Sequence, residues 1–196
     1  MGNPQLFHVE QLSTVTVLRL NSNDGTNRLS RSLVLALTEC IEDLARSPRP
    51  LVITGNDHFF SAGAELAEIA ALTGAAAYKF AAMGQRLMNA VDRFPAPVVA
   101  AVSGYCMGGG FDLALACDAR IAHPHAVFGY RGAALGLITG WGGTQRLPRL
   151  VGRARALEMF IAAEKLTALR ALEIRLIDQI AAEPVQAAIK RLEKSD

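Results

Sequence analysis

The chain is poor in cysteine and has no large excess of charge of either sign. Its 196 residues include 3 cysteines, Cys40, Cys106 and Cys117, an odd number in apolar or helical surroundings. This set favours free buried thiols in a reducing compartment over a disulfide framework, and the cytoplasm is the expected location. The 20 Lys and Arg residues and 18 Asp and Glu residues give a formal net charge of +2, and the basic residues are scattered. Nothing in this distribution indicates nucleic-acid binding.

Signals for membranes, secretion, metals and several common catalytic motifs are also missing. Residues 94–111 are uncharged, but prolines and glycines interrupt them, so no membrane-spanning helix is expected. Residues 1–5 carry no basic region leading into an apolar block, so no signal peptide is predicted. The absence of Gly-x-Ser-x-Gly and of Gly-x4-Gly-Lys-Ser/Thr argues against serine hydrolases and phosphate-loop proteins. His123 and His125 lack partner acids or cysteines, so no metal site is expected.

Strands and helices alternate along the chain, whose hydrophobic content of 51% is sufficient for the core of one domain. Apolar runs predict strands at 6–9, 15–20, 51–55, 119–122 and 126–128, and another before Gly108, whereas 56–64 is predicted to be a loop. One helix is predicted after the N-cap Ser30, a second from about Glu65, a third through 83–91 and a fourth from 142. Most of the tail, 153–196, is also predicted to be helical, with a short apolar interruption at 176–180 and a last helix at 185–194. This order indicates an α/β core with a helical end.

A cluster of basic residues lies near the start of the predicted helical tail. Its members are Arg146, Arg149, Arg153 and Arg155. The pattern is typical first of a solvated helix face, and second of a patch for a phosphorylated ligand.

The most informative feature of the sequence is the glycine triplet Gly108, Gly109 and Gly110, between an apolar run and an apolar helix-like stretch. The first N–H groups of a helix have no partner within it, and glycines allow a ligand to approach them, so such a helix start can bind negative oxygen. Asp112 follows Gly109 by one helical turn, which places its carboxylate on the same side. An acid in this position can stabilise the helix dipole or transfer a proton, and burial would raise its pKa toward a useful value.

Three segments together resemble the signature blocks of the crotonase superfamily, the enoyl-CoA hydratase/isomerase family. They are LVITGNDHFFSAGAEL at 51–66, PAPVVAAVSGYCMGGGFDLALACD at 95–118 and GWGGTQRL at 140–147. Residues 20–21 and 27–30 resemble the N-terminal motif of the family, and the likeness runs from about residue 8 to about residue 181. The resemblance implies an acyl-CoA-binding core of repeated β-β-α units over 1–182, followed by a shortened helical C-terminal part, the helix at 183–196.

The resemblance also implies roles for individual residues. Two backbone N–H groups, of Ala64 and Gly109, would hold the thioester oxygen as it becomes enolate-like, and fixed donors of this kind can each contribute about 3 to 4 kcal/mol. Alternatively, the glycines serve only tight turns and close packing. Asp112 is the candidate proton-transfer residue. Further residues implied to contact the substrate are Ala62, Gly63, Glu65, Leu66, Gly108, Tyr130, Arg131 and Gly132.

The chain departs from the hydratases of the family where they use two glutamates. The first position is Asp112, one methylene shorter, and the second is Gly132, which can neither activate water nor protonate carbon. Tyr130 or Arg131 could take over as an acid or as a carboxylate anchor, although a lone Tyr or Arg is more often a packing or surface residue. Glu65 is more typical of a structural loop residue, and His58 of a loop surface.

Two classes of function therefore remain. The first is an enzyme on acyl-CoA, an isomerase, decarboxylase or other enolate-type enzyme rather than an efficient hydratase. The second is a catalytically weak acyl-CoA-binding or assembly protein. The resemblance implies no cofactor beyond the CoA moiety of the substrate, no nucleic acid or membrane partner, and a homo-oligomer, trimer or hexamer.

Overall fold

Three sheets and the helices that connect them form the structure, a computed structural model that describes residues 6–194. The strands are β1 (Phe7–Gln11), β2 (Thr16–Leu20), β3 (Arg28–Leu29), β4 (Leu51–Thr54), β5 (Phe59–Ser61), β6 (Gly63–Ala64), β7 (Val98–Val102), β8 (Tyr105–Met107), β9 (Ala119–Ala122), β10 (Val127–Gly129), β11 (Leu166–Thr167) and β12 (Gln179–Ile180). The helices are α1 (Arg31–Leu44), α2 (Leu66–Ala70), α3 (Gly74–Asp92), α4 (Gly109–Ala116), α5 (Gly143–Val151), α6 (Arg153–Ala162), α7 (Ala168–Glu173) and α8 (Pro184–Glu193), with a 3₁₀ helix at Gly132–Leu135.

The largest sheet has six strands in the order β1-β2-β4-β7-β9-β12, and its pairs are parallel except for β1 with β2. Its central strands β4, β7 and β9 are buried throughout, as expected for a parallel sheet covered on both faces. Side chains alternate between the faces, so Ile53 and Ala100 join the main core while Val52 and Val99 pack toward Ala188 and Leu192 of α8. The predicted mixed α/β class is confirmed.

Helices α1 and α3 pack together over the main core. The hydroxyl of Ser30 accepts a hydrogen bond from the N–H of Leu33 at 3.3 Å, which confirms the predicted N-cap. Leu33, Leu37 and Ile41 follow at helical spacing and are buried. Gly84 and Leu87 lie on the buried face of α3.

The prediction of a loop over 56–64 is wrong. Strands β5 and β6 lie within it, and β5 belongs to a four-stranded sheet of order β11-β10-β8-β5. The segment before the glycine triplet also differs from the single predicted strand. Strand β7 ends at Val102, and a separate short strand, β8, precedes Gly108. Glycines bring these segments close: an ideal Cβ on Gly104 would lie 1.9 Å from the carbonyl oxygen of His58.

Most other elements agree with the sequence within a few residues. Strands β1, β2, β4, β9 and β10 and helices α4, α5 and α8 occur where expected, whereas β11 was not predicted and only Gln179–Ile180 of the apolar stretch 176–180 is a strand. Cys106 and Cys117 are buried free thiols, and Cys40 is a partly buried one. Within residues 6–194, no helix has the length and apolar character needed to cross a membrane. The predictions for residues 1–5, and for 195–196 at the end of the tail, concern residues outside the described part of the chain. The boundary at residue 182 between the acyl-CoA-binding core and the C-terminal helix stays a prediction.

Candidate active site

A largely apolar cavity of about 410 Å³ lies where β6, the start of α4, the 3₁₀ helix and α3 meet. Apolar side chains form most of its wall, and Asp112, Tyr130 and Arg131 are the titratable residues among those that line it. Lining residues from the described part of the chain include Ala62, Gly63, Ala64, Leu66, Phe80, Gly108, Gly109, Gly132, Leu135, Leu137, Ile138, Thr139, Trp141 and Phe160. A cavity of this composition suits an apolar ligand that presents a small polar group to a few fixed partners.

Two backbone segments approach each other closely at one end of the cavity. Gly109 is the first residue of α4, so its N–H has no partner within the helix. An ideal Cβ on Gly109 would lie 3.3 Å from the nitrogen of Ala64, and one on Gly63 would lie 3.2 Å from the nitrogen of Gly109. Gly108, with φ 50° and ψ −119°, makes the turn into the helix in a conformation that favours glycine. The amides of Ala64 and Gly109 therefore lie next to each other.

The carboxyl group of Asp112 is fully buried at the same cavity, with 0% of the residue exposed. The hydroxyl of Tyr130 donates a hydrogen bond to Oδ1 at 2.5 Å, and the hydroxyl of Thr139 donates one to Oδ2. The backbone N–H of Gly143, the first residue of α5, also donates to the carboxyl group. Asp112 thus connects the residue that follows β10, the segment after the 3₁₀ helix and the start of α5.

The pKa of Asp112 results from opposed effects. Burial raises the pKa, while hydrogen bonds from Thr139 and Tyr130, the charge of Arg146 and the Gly143 N–H lower it, and the net result is a rise from 3.8 to about 6. Loss of hydration therefore outweighs the donors. Burial and the neighbouring carboxylate raise the pKa of Tyr130 well above its usual range, so the phenol stays protonated and remains a donor.

Aromatic packing fixes the orientation of Tyr130. Its ring lies 4.9 Å from that of Phe111 and 5.0 Å from that of Phe160, measured between centroids. Only 4% of Tyr130 is exposed, so its hydroxyl is held on Asp112 rather than shared with water.

Comparison with known proteins identifies the family. The sequence pattern described as "Enoyl-CoA hydratase/isomerase" matches residues 10–194. The chain belongs to the enoyl-CoA hydratase/isomerase family. Similar family proteins include a "Probable enoyl-CoA hydratase" of Bacillus subtilis (strain 168), 39% identical over 83% of this chain and 64% of that protein. A "Crotonyl-CoA hydratase" of Syntrophomonas wolfei is 36% identical over 88% of this chain and 67% of that protein. The chain thus spans about two thirds of the length of these curated relatives.

Solved structures support the same assignment. DspI of Pseudomonas aeruginosa superposes with a TM-score of 0.92 at 35% identity, over 99% of this chain and 76% of that chain. The enoyl-CoA hydratase of Bacillus anthracis superposes with a TM-score of 0.91 at 34% identity, over 97% of this chain and 76% of that chain. The crotonase-like fold that the sequence motifs suggest is therefore confirmed.

The structure brings nearly all the sequence-predicted site residues of this family member to one cavity. Those that line it are Ala62, Gly63, Ala64, Leu66, Gly108, Gly109, Asp112, Tyr130, Arg131 and Gly132. The prediction that Glu65 contacts the substrate is not supported: it is the N-cap of α2, its side chain accepts a hydrogen bond from the N–H of Ala67 at 3.4 Å, and it is outside the set of described residues that line the cavity.

Gly132, which the family resemblance assigns to the second glutamate position, has no room for a side chain. An ideal Cβ would lie 2.6 Å from the carbonyl oxygen of Leu137. The N–H of Leu137 donates to the carbonyl of Gly132 at 2.8 Å, which closes the loop over that side. A carboxylate here would require the loop to be rebuilt.

Sequence reasoning did not single out Thr139, Trp141 and Gly143. The first two line the cavity, and the third donates to Asp112. All three lie in or next to GWGGTQRL, where two glycines open a helix shortly after a hydroxyl residue. That pattern indicates a helix start able to hold an anion, but the sequence alone does not show that the anion is Asp112.

The basic cluster is only partly a solvated face. Arg149, Arg153 and Arg155 are exposed, as expected. Arg146 contradicts the prediction: its side chain is 11% exposed, and its Nη2 donates to Oδ1 of Asn89 at 3.0 Å and pairs with Asp92 at 3.4 Å. The positive charge of Arg146 also lowers the pKa of the buried Asp112.

Proposed function

We propose that this protein is an enzyme that acts on an acyl-CoA thioester through an enolate-like intermediate. The observation that carries the proposal is the buried carboxyl group of Asp112 in the same apolar cavity as the neighbouring amides of Ala64 and Gly109. The thioester oxygen would accept hydrogen bonds from these two amides as negative charge develops on it. The names of two relatives, "Probable enoyl-CoA hydratase" and "Crotonyl-CoA hydratase", agree with an enoyl-CoA substrate.

Asp112 would act as both base and acid. Its carboxylate removes a proton from the carbon next to the thioester carbonyl of a β,γ-enoyl group, and the electron pair of that C–H bond moves into a dienolate held by the two amides. The protonated Asp112 then returns the proton to the γ carbon, which gives the α,β-enoyl thioester. Reaction of this type needs one group that cycles between base and acid, and a pKa of about 6 suits that cycle near neutral pH.

Isomerisation is favoured over hydration because the described residues that line the cavity include one carboxylate rather than two. Hydration requires a base that activates water and an acid that protonates carbon. Gly132 provides neither, and the carbonyl of Leu137 occupies the space where its side chain would begin. Decarboxylation of a malonyl-type thioester would also proceed through an enolate, and the exposed Arg131 at the cavity could then bind the carboxylate.

One observation favours a second candidate, an acyl-CoA-binding protein with little catalytic activity. Asp112 already accepts hydrogen bonds from Tyr130, Thr139 and Gly143, and each donor makes the carboxylate a weaker base. A cavity of this kind could retain thioester affinity after losing proton transfer.

Exchange of substrate protons with D₂O distinguishes these functions. The protein is incubated in D₂O with β,γ- and α,β-enoyl-CoA esters of several chain lengths, and deuterium in the acyl group is measured by mass spectrometry. We expect exchange and double-bond migration with the unaltered protein, and a loss of about 100-fold or more with Asp112→Asn. Asp57→Asn, which replaces an exposed carboxylate outside the cavity, is the matched control and should retain full exchange.

Each outcome of this experiment supports or excludes one of these functions. Exchange that depends on Asp112 supports the enolate enzyme, whereas rapid formation of the 3-hydroxyacyl product would overturn the preference for isomerisation. Carbon dioxide release from malonyl-type esters would identify a decarboxylase. Calorimetric binding of the thioester without exchange or double-bond migration would favour the binding protein, and absence of binding would overturn both proposals.

A further inference from the structure

We infer that Trp141 is a positioning residue that holds Gly109 in place, and that Gly84 of α3 provides the space this role requires. The inference rests on the proposed function, because it concerns one of the two amides assigned there to the thioester oxygen. Trp141 is the sole tryptophan of the sequence, is 3% exposed and lines the cavity.

The six-membered ring of the indole lies directly against Gly109. An ideal Cβ on Gly109 would lie 2.5 Å from Cζ3 and 2.6 Å from Cε3 of Trp141. These distances are too short for any side chain, so the ring contacts the backbone of the first residue of α4. A glycine pair, Gly108 and Gly109, is intrinsically free to adopt many backbone conformations, and packing against a rigid ring limits that freedom.

The five-membered ring of the same indole lies against α3. An ideal Cβ on Gly84 would lie 2.1 Å from Nε1 and 2.2 Å from Cδ1 and Cε2. A glycine in the middle of a 19-residue helix costs about 1 kcal/mol relative to alanine, so its place here is explained by the space the ring takes. The indole is therefore wedged between α3 and the start of α4.

A hydrogen bond fixes how the indole is turned. Nε1 of Trp141 donates to the carbonyl oxygen of Phe80 at 3.2 Å, one helical turn before Gly84. The rings of Phe80 and Trp141 are also in contact, with centroids 5.3 Å apart. Rotation of the indole away from Gly109 would lose both contacts.

The segment that carries Trp141 also holds the proposed base. Thr139 and Gly143 both donate to Asp112, and the backbone N–H of Trp141 lies 3.4 Å from the hydroxyl of Thr139. Residues 139–143 thus contact both Gly109 and Asp112, and so fix the oxygen-binding amide relative to the carboxylate. A displacement of the amide by about 1 Å would weaken its bond to the enolate oxygen and can lower a rate about 100-fold.

The inference is tested with Gly84→Ala, Trp141→Ala and the double variant, by measuring kcat and KM for the isomerisation or the rate of deuterium exchange. Gly84→Ala forces the indole off its site, so we expect kcat to fall about 10- to 100-fold with KM changed less than about three-fold, because oxyanion bonds act mainly in the transition state. Trp141→Ala should lower kcat to a similar extent. The double variant should be no worse than Trp141→Ala alone, since the methyl group added at position 84 then has no ring to displace.

Gly74→Ala is the matched control, because an ideal Cβ on Gly74, at the start of the same helix, meets nothing within 4 Å. It should leave kcat, KM and the tryptophan fluorescence unchanged, whereas Gly84→Ala should shift that fluorescence. Thermal melting verifies that each variant is folded, and if Trp141→Ala is not, Gly84→Ala and the milder Trp141→Leu carry the test.

Unchanged kcat in folded Gly84→Ala and Trp141→Leu, or additive losses in the double variant, would overturn the positioning role and leave the proposed function intact. A merely structural role of Trp141 would lower the melting temperature without changing kcat per folded molecule. Failure of the proposed function itself would be recognised separately, because the unaltered protein would then show neither turnover nor exchange.

Discussion

Asp112 is a fully buried carboxyl group surrounded by hydrogen-bond donors. Burial raises its pKa, whereas the donors lower that pKa and make the carboxylate a weaker base. The combination of the two places its pKa at about 6, so that the carboxylate predominates at pH 7 while the acid form remains accessible within a catalytic cycle. Tyr130 and Thr139 therefore adjust the charge of Asp112 as well as its position.

The pH dependence of the proposed reaction follows from this balance. Because the base must be ionised to begin the cycle, kcat/KM should rise with pH through about 6 and level off above it. Tyr130→Phe removes a donor that lowers the pKa of Asp112, so the rise should move to higher pH. The aromatic packing on Phe111 and Phe160 is retained in this variant, so its fold should be preserved.

The measurement is a pH–rate profile of the unaltered protein and of Tyr130→Phe. Arg149→Gln is a suitable control, since Arg149 is an exposed residue outside the cavity and its replacement should leave the rise in place. A rise that moves to lower pH in Tyr130→Phe would contradict the assignment of Asp112 as the base.

Single residues differ in how far the sequence could predict them. The spacing of Gly109 and Asp112 within one helix is local, so their common side could be predicted from helical geometry. The contacts of Asp112 with Tyr130 and Thr139 join residues that are 18 and 27 positions away, and no local pattern encodes them. The family resemblance predicts a missing carboxylate at Gly132, and the structure adds that the carbonyl of Leu137 excludes a side chain there.

At the scale of elements, the start of α5 is part of the site rather than only a neighbour of it. Its first residue, Gly143, presents an N–H to Asp112, and a helix N-terminus stabilises negative charge. An ideal Cβ on Gly143 would lie 2.0 Å from the Tyr130 hydroxyl oxygen and 2.2 Å from Oδ1 of Asp112. The helix can therefore approach the carboxylate only because this residue is a glycine.

Gly143→Ala should consequently abolish most of the activity. The added methyl group must separate the Tyr130 hydroxyl from Asp112 or push α5 away, and we expect kcat to fall about 100-fold or more. The control is Gly74→Ala at the start of α3, which is outside the set of described residues that line the cavity and whose Cβ would meet nothing within 4 Å. Steady-state kinetics on both variants check the prediction, and equal activity of the two would refute the role given to Gly143.

Helices and strands could be predicted where neighbouring residues determine them, but not where they depend on pairing with distant segments. Helix α1 was predicted because Ser30 caps it and its apolar residues repeat at helical spacing. Strands β5 and β6 were missed because they have only 3 and 2 residues and exist through parallel pairing with β8 and β3. Pairing partners of such short strands lie far away in sequence, so their own residues carry little periodicity.

At the scale of the whole molecule, Arg120 of β9 joins the core to the C-terminal elements. The residue is 4% exposed, and its guanidinium donates to the carbonyl of Leu176 at 2.7 Å and to that of Cys117 at 2.8 Å. It also lies 3.5 Å from the carboxylate of Asp178, which itself accepts the backbone N–H of Arg120 at 2.8 Å. The buried guanidinium of Arg120 thus donates hydrogen bonds to a carbonyl at the end of α4 and to one in the segment that leads into β12.

Arg120→Met should therefore destabilise the fold as a unit. The substitution keeps an apolar stem but leaves the buried carbonyls of Leu176 and Cys117 without their guanidinium donor and removes the ion pair with Asp178, so the free energy of unfolding should fall by about 3 kcal/mol or more. Arg170→Met is the matched control. Arg170 pairs with Glu173 at 2.8 Å on the surface, with side chains 58% and 51% exposed, and its loss should cost no more than about 1 kcal/mol. Denaturant unfolding of both variants measures the difference.

Because Arg120 lies outside the cavity, folded Arg120→Met should keep the kcat of the unaltered protein at temperatures well below the melting temperature of the variant. A loss of kcat under those conditions would show that the C-terminal elements influence the site.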